Sequence, residues 1–228
     1  MTGPMAQARQ PHCYPYPRPA VTVDIVIFTV AGDDLKVLLI QRKHEPFAGR
    51  WAIPGGFVDE DEPLEAAALR ELEEETGVRG VTLRQLHAFG DPGRDPRGHT
   101  ISIAYYVLLN AQGLDVRAAD DAAGAGWFSL FHLPELAFDH AKILAHALAR
   151  LRCDLTQIPV GRDLLPRHFT LAELKRLHEV ILQRQLDSRA FRRTMLARGI
   201  IEPVKPARRT KAHRPRLYRF TRRKPIGA

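Results

Sequence analysis

Three glutamates, Glu71, Glu74 and Glu75, carry the clearest chemistry in this 228-residue chain. Spaced i, i+3 and i+4, they share one face if the segment is helical. Carboxylates that close repel one another without a counter-charge. Hard oxygen donors so grouped suit Mg²⁺ or Mn²⁺, which can hold phosphate oxygens at the same time. Arg70 is placed to hold one carboxylate by a charge-assisted hydrogen bond. Taken alone, three glutamates more often form a solvated acidic helix face. The surrounding spacing decides between the two readings.

The glutamates lie in the stretch GFVDEDEPLEAAALRELEEETGV, from Gly56 to Val78. Pro63 suits the first turn of a helix, where a missing N–H costs nothing. Ala66, Ala67, Ala68, Leu69 and Leu72 are mostly strong helix formers. Gly77 is placed to end the helix in the left-handed conformation. Upstream, Trp51-Ala52-Ile53-Pro54-Gly55-Gly56 reads as a strand ending at a turn, with glycines that permit positive φ and a close backbone approach. Arg50 can reach a bound phosphate, or stand in solvent as a loop arginine. Residues 90–99, GDPGRDPRGH, are too rich in Gly and Pro for regular structure. Arg94, Asp95 and Arg97 could take a second phosphate or a ribose there. A solvated hairpin loop is the plain alternative.

The positioning elements follow from periodicity. Val21 to Val30 and Leu35 to Gln41 read as paired strands around an Ala31–Asp34 turn. Val81 to Phe89, Thr100 to Leu109 and the short Trp127 to Leu130 read as further strands. Ile143, Leu144, Ala147, Leu148 and Leu151 fall at helical spacing, predicting a helix over 139–152 that packs on the sheet, with Asp139 as N-cap. His140 and His146 lack the i, i+4 spacing of a zinc pair and read as ordinary helix residues.

Composition bounds the remaining classes. The chain is 45% hydrophobic, enough for a core. No run approaches the roughly 18 apolar residues of a membrane span. Residues 1–19 lack an apolar centre and read as a flexible leader rather than a signal peptide. Cys13 and Cys153 form no metal or redox motif, so a reduced cytoplasmic protein is expected. Residues 160–228 carry 19 Lys+Arg against 5 Asp+Glu, a net of +14, whereas the rest nets −6. That asymmetry predicts two domains, the second facing a polyanion.

In the basic third, residues 153–166 read as a linker containing Pro159, Gly161 and Pro166. Thr170 and Glu173 form a capping box ahead of Leu171, Leu174, Leu177 and Ile181. A second helix, capped by Asp187 or Ser188 and ended by Gly199, buries Phe191, Met195 and Leu196. Arg189, Arg192, Arg193 and Arg198 lie mostly on its other faces. Ile200 to Val204 and Arg216 to Phe220 read as strands flanking a basic loop with Arg208, Arg209, Lys211 and Arg214. Helix, helix, basic hairpin is the order of a winged helix-turn-helix. Its arginine-bearing helix would enter the major groove while the wing touches phosphate. The competing reading is a basic subdomain for dimerisation or weak RNA binding.

Gly56, Glu62, Arg70, Glu71, Leu72, Glu74, Glu75, Gly77 and Val78 match every fixed position of the Nudix signature, and the chain is similar to that family. The resemblance implies an α/β fold, an α/β/α sandwich. It also implies Mg²⁺-dependent cleavage of a nucleoside diphosphate linked to another group. Carried over by position, Glu71, Glu74, Glu75 and the Gly55 carbonyl would hold the metal, and Arg70 would orient the carboxylates. Arg50, Gly56, Arg94, Asp95 and Arg97 are the expected ligand contacts. GRDPRG before ISIAY, and Leu-Ala-Phe-Asp-His at 136–140, resemble the ADP-ribose branch. FTLAEL, LDSRAFRR and LYRF at the C-terminal end resemble the Nudix-related transcriptional regulators of NAD metabolism.

That resemblance implies a dimeric repressor that leaves double-stranded DNA on binding ADP-ribose or a related nucleotide. The expected plan is a Nudix domain over 20–152 and a winged helix-turn-helix over 167–228. Arg189, Arg192, Arg193 and the four basic loop residues would contact DNA. Many such regulators have lost part of the hydrolytic box, whereas this chain keeps it. An ADP-ribose pyrophosphatase with a basic dimerisation module is the alternative.

Overall fold

A computed structural model describes residues 14–111, 122–162, 164–204 and 215–221. The first unit is built on a seven-stranded mixed sheet. Its strands are β1 (Ala20–Ala31), β2 (Asp34–Arg42), β3 (Trp51–Ala52), β4 (Gly55–Phe57), β5 (Arg84–Phe89), β6 (Thr100–Leu108) and β7 (Ala122–Ser129). β1 and β6 run parallel, with Val23 opposite Ile103, and the other pairings are antiparallel. The central strand β1 is buried on both faces from Thr22 to Thr29. This is why its sequence is a nearly unbroken run of β-branched and aromatic residues.

The pleat sends alternate residues to opposite layers. Val23, Ile25 and Ile27 meet Ala67, Ala68 and Leu72 of α1 (Leu64–Thr76). Val26 and Phe28 meet Ile143, Leu144, Ala147 and Leu151 of α2 (His140–Asp154). The result is the expected α/β/α sandwich. Gly77 closes α1 with φ 73°, its N–H donating to the Glu73 carbonyl. The strand expected from Val81 starts only at Arg84, and α2 runs two residues past Arg152.

The basic unit comprises β8 (Phe169–Thr170), α3 (Leu171–Leu182), α4 (Ser188–Ala197), β9 (Ile201–Pro203) and β10 (Leu217–Phe220). Its sheet has the order β8-β10-β9. The capping box forms as read: Thr170 Oγ1 accepts from the Glu173 N–H, and the Glu173 carboxylate accepts from the Thr170 N–H. Asp187 caps α4 by accepting from the Ala190 N–H. The unit's own core joins Phe169, Leu174, Phe191, Met195, Ile201 and Tyr218.

α3 serves two cores. Leu177, Val180 and Ile181 pack in the cluster that covers the α2 face of the large sheet. The described part of the segment between the units packs on the protein: Leu155 and Ile158 are buried, and Leu164 and Leu165 pack on that same cluster. Arg152 Nε donates to the Ile181 carbonyl at 3.1 Å, and Arg176 pairs with Asp33 of the β1–β2 turn.

Candidate functional site

The acidic box is held by Arg70. Its Nε and Nη2 bind both oxygens of Glu62 at 2.8 and 2.9 Å. Nη1 donates to Glu71 at 2.8 Å and to Glu74 at 3.2 Å, and Nη2 also reaches the Phe57 carbonyl. These bonds, with help from the Asp59 N–H, hold the Glu62 carboxyl down at about 2. One guanidinium therefore fixes the loop before α1 to the helix and aligns two box carboxylates. Glu75 stands apart from it and accepts from the Gly55 N–H at 2.7 Å. Burial pushes Glu75 up to about 8 and outweighs that hydrogen bond. Burial also raises Glu71, against the pull of Arg70.

Both glycines at the start of the box stand in close approach to a neighbour, Gly55 to backbone and Gly56 to a side chain. A Cβ on Gly55, where φ is +156°, would lie 2.1 Å from the Val23 carbonyl oxygen. A Cβ on Gly56 would lie 2.3 Å from Glu71 Oε1. The donor set suits a divalent cation: clustered hard carboxylates, two of them raised by burial, gain from an added positive charge. Among the described residues, no three His, Cys, Asp or Glu side chains stand close enough together to enclose an ion.

Beside the box lies a cleft of about 180 Å³. Gly55, Gly56, Phe57, Arg94, Asp95 and Arg97 line it, together with Asp24, Arg42, Phe138 and His140. Arg94 is almost fully buried. It grips Asp139 through Nη2 at 2.7 Å and Nε at 3.2 Å, with Asp24 at 3.6 Å. Asp95 takes Arg97 in a bidentate pair. Burial raises the Asp95 carboxyl, but its bonds to the Arg97 side chain and N–H bring it below the usual range. Arg50 is not part of the lining; it pairs with Glu135 at 2.7 Å.

Two expectations are corrected at the start of α2. Asp139 makes no side-chain cap, because its carboxylate is turned to Arg94. His140 is more than an ordinary helix residue. It is buried, its Nδ1 accepts from the Ile53 N–H at 2.9 Å, and its Nε2 lies 3.6 Å from Asp24. Burial lowers its pKa, so the neutral ring, with Nδ1 as acceptor, is the form that fits.

The NUDIX domain model matches residues 18–150, and the NrtR DNA-binding winged helix domain model matches residues 161–220. The chain belongs to the Nudix family. It carries an NrtR-type winged helix. The ADPR responsive transcriptional repressor NtrR of Acinetobacter baylyi is 38% identical over 211 residues, 90% of this chain and 83% of that protein. The ADP-ribose pyrophosphatase of Methanocaldococcus jannaschii is 47% identical over 129 residues, 57% of this chain and 73% of that one. The crystal structure of Shewanella oneidensis NrtR complexed with a 27mer DNA matches with TM-score 0.72 at 34% identity, covering 88% of this chain and 93% of that chain.

In the winged helix of this Nudix protein, Arg189, Arg192 and Arg193 are exposed on α4. Arg192 Nε donates to the Tyr218 hydroxyl at 3.1 Å, which ties α4 to the wing strand. Arg198 turns back to the Thr156 carbonyl at 2.6 Å. Arg208, Arg209, Lys211 and Arg214 lie outside the described residues. Among the described residues, no helix is long and apolar enough to cross a membrane. Asp24, Arg42, Phe138 and His140 also line the cleft; Phe138 and His140 fall in the Leu-Ala-Phe-Asp-His run that resembles the ADP-ribose branch, whereas Asp24 and Arg42 are not among the expected contacts. Of these two, Asp24 carries a signal in the sequence, a carboxylate in the middle of an apolar strand.

Proposed function

We propose that this protein is an ADP-ribose-responsive, DNA-binding repressor of NAD metabolism whose Nudix domain also hydrolyses its effector. One observation carries this reading: a complete acidic box and a winged helix share one chain that aligns along 90% of its length with an ADPR-responsive repressor. The domain plan is 20–152 for the Nudix unit and 167–228 for the winged helix. The protein acts as a homodimer in the cytoplasm, pairing two α4 helices with the half-sites of an operator. Among the described residues Arg189 and Arg193 have no side-chain partner, so they present their guanidinium groups to DNA, and Arg192 reaches it with the N–H groups that Tyr218 leaves over.

Glu71, Glu74, Glu75 and the Gly55 carbonyl would hold Mg²⁺ or Mn²⁺. When bound, the ion supplies positive charge to the diphosphate oxygens. Arg70 keeps Glu71 and Glu74 oriented, and the Gly55 N–H fixes Glu75. Gly56 lets the ligand and Glu71 approach the backbone. Arg94, Asp95 and Arg97 wall the cleft for the rest of the nucleotide. In the hydrolytic step water adds to one phosphorus and the anhydride P–O bond breaks. ADP-ribose then yields AMP and ribose 5-phosphate. Incubation of the purified protein with Mg²⁺ and ADP-ribose, followed by chromatography, tests the enzyme half. AMP is the expected product, and intact ADP-ribose after prolonged incubation would leave sensing alone.

A further inference from the structure

Arg42, the last residue of β2, lines the cleft without a hydrogen bond to the box. Its backbone closes the 43–50 loop, exchanging hydrogen bonds with Arg50 and Gly49. Its side chain reaches over the loop: Nε donates to the Pro46 carbonyl at 2.8 Å, and Nη2 lies 3.4 Å from the His44 carbonyl. The guanidinium carbon then sits 4.8 Å from the Phe138 ring centroid. Arg97, from a different loop, places its own guanidinium 5.6 Å from the same ring. Two cations thus meet at one aromatic ring in the cleft wall.

Phe138 is held there at some cost. Its φ is 51°, and that of Phe47, packed edge-on at 4.9 Å, is 65°. Left-handed backbone in bulky residues is uncommon and concentrates at ligand sites. Arg97 has Asp95 as its partner, but no carboxylate pairs with Arg42 within ion-pair distance among the described residues. Burial, then the charge of Arg97, lower the Arg42 pKa, and the more distant carboxylates of Asp95, Glu75 and Glu45 offset this only in part. An anion between the two guanidiniums would relieve both effects.

We propose that Arg42 is a ligand-binding residue of the cleft, receiving a phosphate oxygen of the ligand jointly with Arg97 above the Phe138 ring. Only the identity of the anion, a nucleoside diphosphate, rests on the function proposed above. The competing role for Arg42 is purely structural, closing the 43–50 loop through its two carbonyl contacts.

Calorimetric titration of the full chain with ADP-ribose, and separately with inorganic pyrophosphate, tests the proposal in a chelating buffer where turnover stops. Arg42→Gln keeps a donor and removes the charge. Affinity for both anions should fall roughly 10- to 100-fold, the range expected for losing a charge-assisted hydrogen bond. Arg42→Lys restores charge without the planar fork and should recover much of that loss. Thermal melting is recorded for all three proteins. Both variants melting lower while the wild-type affinities persist would overturn the proposal and leave a loop clasp. Wild-type protein that binds pyrophosphate through Arg42 but not ADP-ribose would sustain the anion site and refute the nucleotide reading. Wild-type protein that binds neither would refute both.

Discussion

Gly55 and Gly56 are neighbours with opposite vulnerabilities. At Gly56 an added methyl meets the carboxylate end of Glu71, which can swing away. Gly56→Ala should therefore fold, melt within a few degrees of wild type, and lose ADP-ribose turnover by roughly 10- to 1,000-fold through a misplaced carboxylate. At Gly55 the methyl meets backbone of β1 and the residue is left-handed, so neither partner can yield. Gly55→Ala should cost about 3 kcal/mol or more of stability, read by chemical denaturation. Equal melting temperatures for the two variants would contradict this contrast. Glu74→Gln should abolish turnover with folding intact, since Glu74 is exposed and, among the described residues, bonded only to Arg70. Unchanged turnover would remove Glu74 from the mechanism. Much of this site was legible in sequence because the box is local: one helix and its preceding loop set the spacing of Arg70, Glu71, Glu74 and Glu75. The cleft roles of Arg42 and His140 were not legible, because separate elements bring them beside Asp24 only on folding.

Single elements were legible where local chemistry decides them. The capping box at Thr170 and Glu173 and the glycine stop at Gly77 formed as read. β8 escaped notice because two residues have no period, and only pairing with β10 makes Phe169–Thr170 a strand. Asp139 misled for a related reason: a residue that could cap α2 is claimed by Arg94 from a distant loop. Inside α3, His178 is buried against Phe191, and burial pushes its pKa down to about 4 from an ordinary 6.5. Between those values the unfolded chain takes up a proton that the folded chain refuses. Stability from this group is therefore full above about pH 6.5 and lost as pH falls toward 4, by about 3 kcal/mol in all. His178→Leu should flatten that component in melts recorded between pH 7.5 and 5. An unchanged slope would show that His178 is solvated.

The whole molecule joins its two halves through α3, which completes the core beneath the large sheet on one side and the winged-helix core on the other. α2 runs from the cleft, where Asp139 and His140 sit, to the Arg152–Ile181 contact with α3. A ligand that draws Arg94 from Asp139 would act on the start of a helix whose far end touches the DNA-binding unit. The charge imbalance predicted two units from sequence, but not this shared packing, because apolar positions on α3 do not reveal which core each one enters. DNA binding through the arginines of α4 should weaken steeply with salt, as counterion release requires.

The most direct measurement is an electrophoretic shift of DNA from the protein's own upstream region at low salt, with ADP-ribose titrated in. The chain should retard that DNA, and ADP-ribose should release it, with Arg189→Ala and Arg193→Ala weakening retardation in the absence of ligand. Retardation that ADP-ribose leaves untouched, or no retardation at all, would contradict the account.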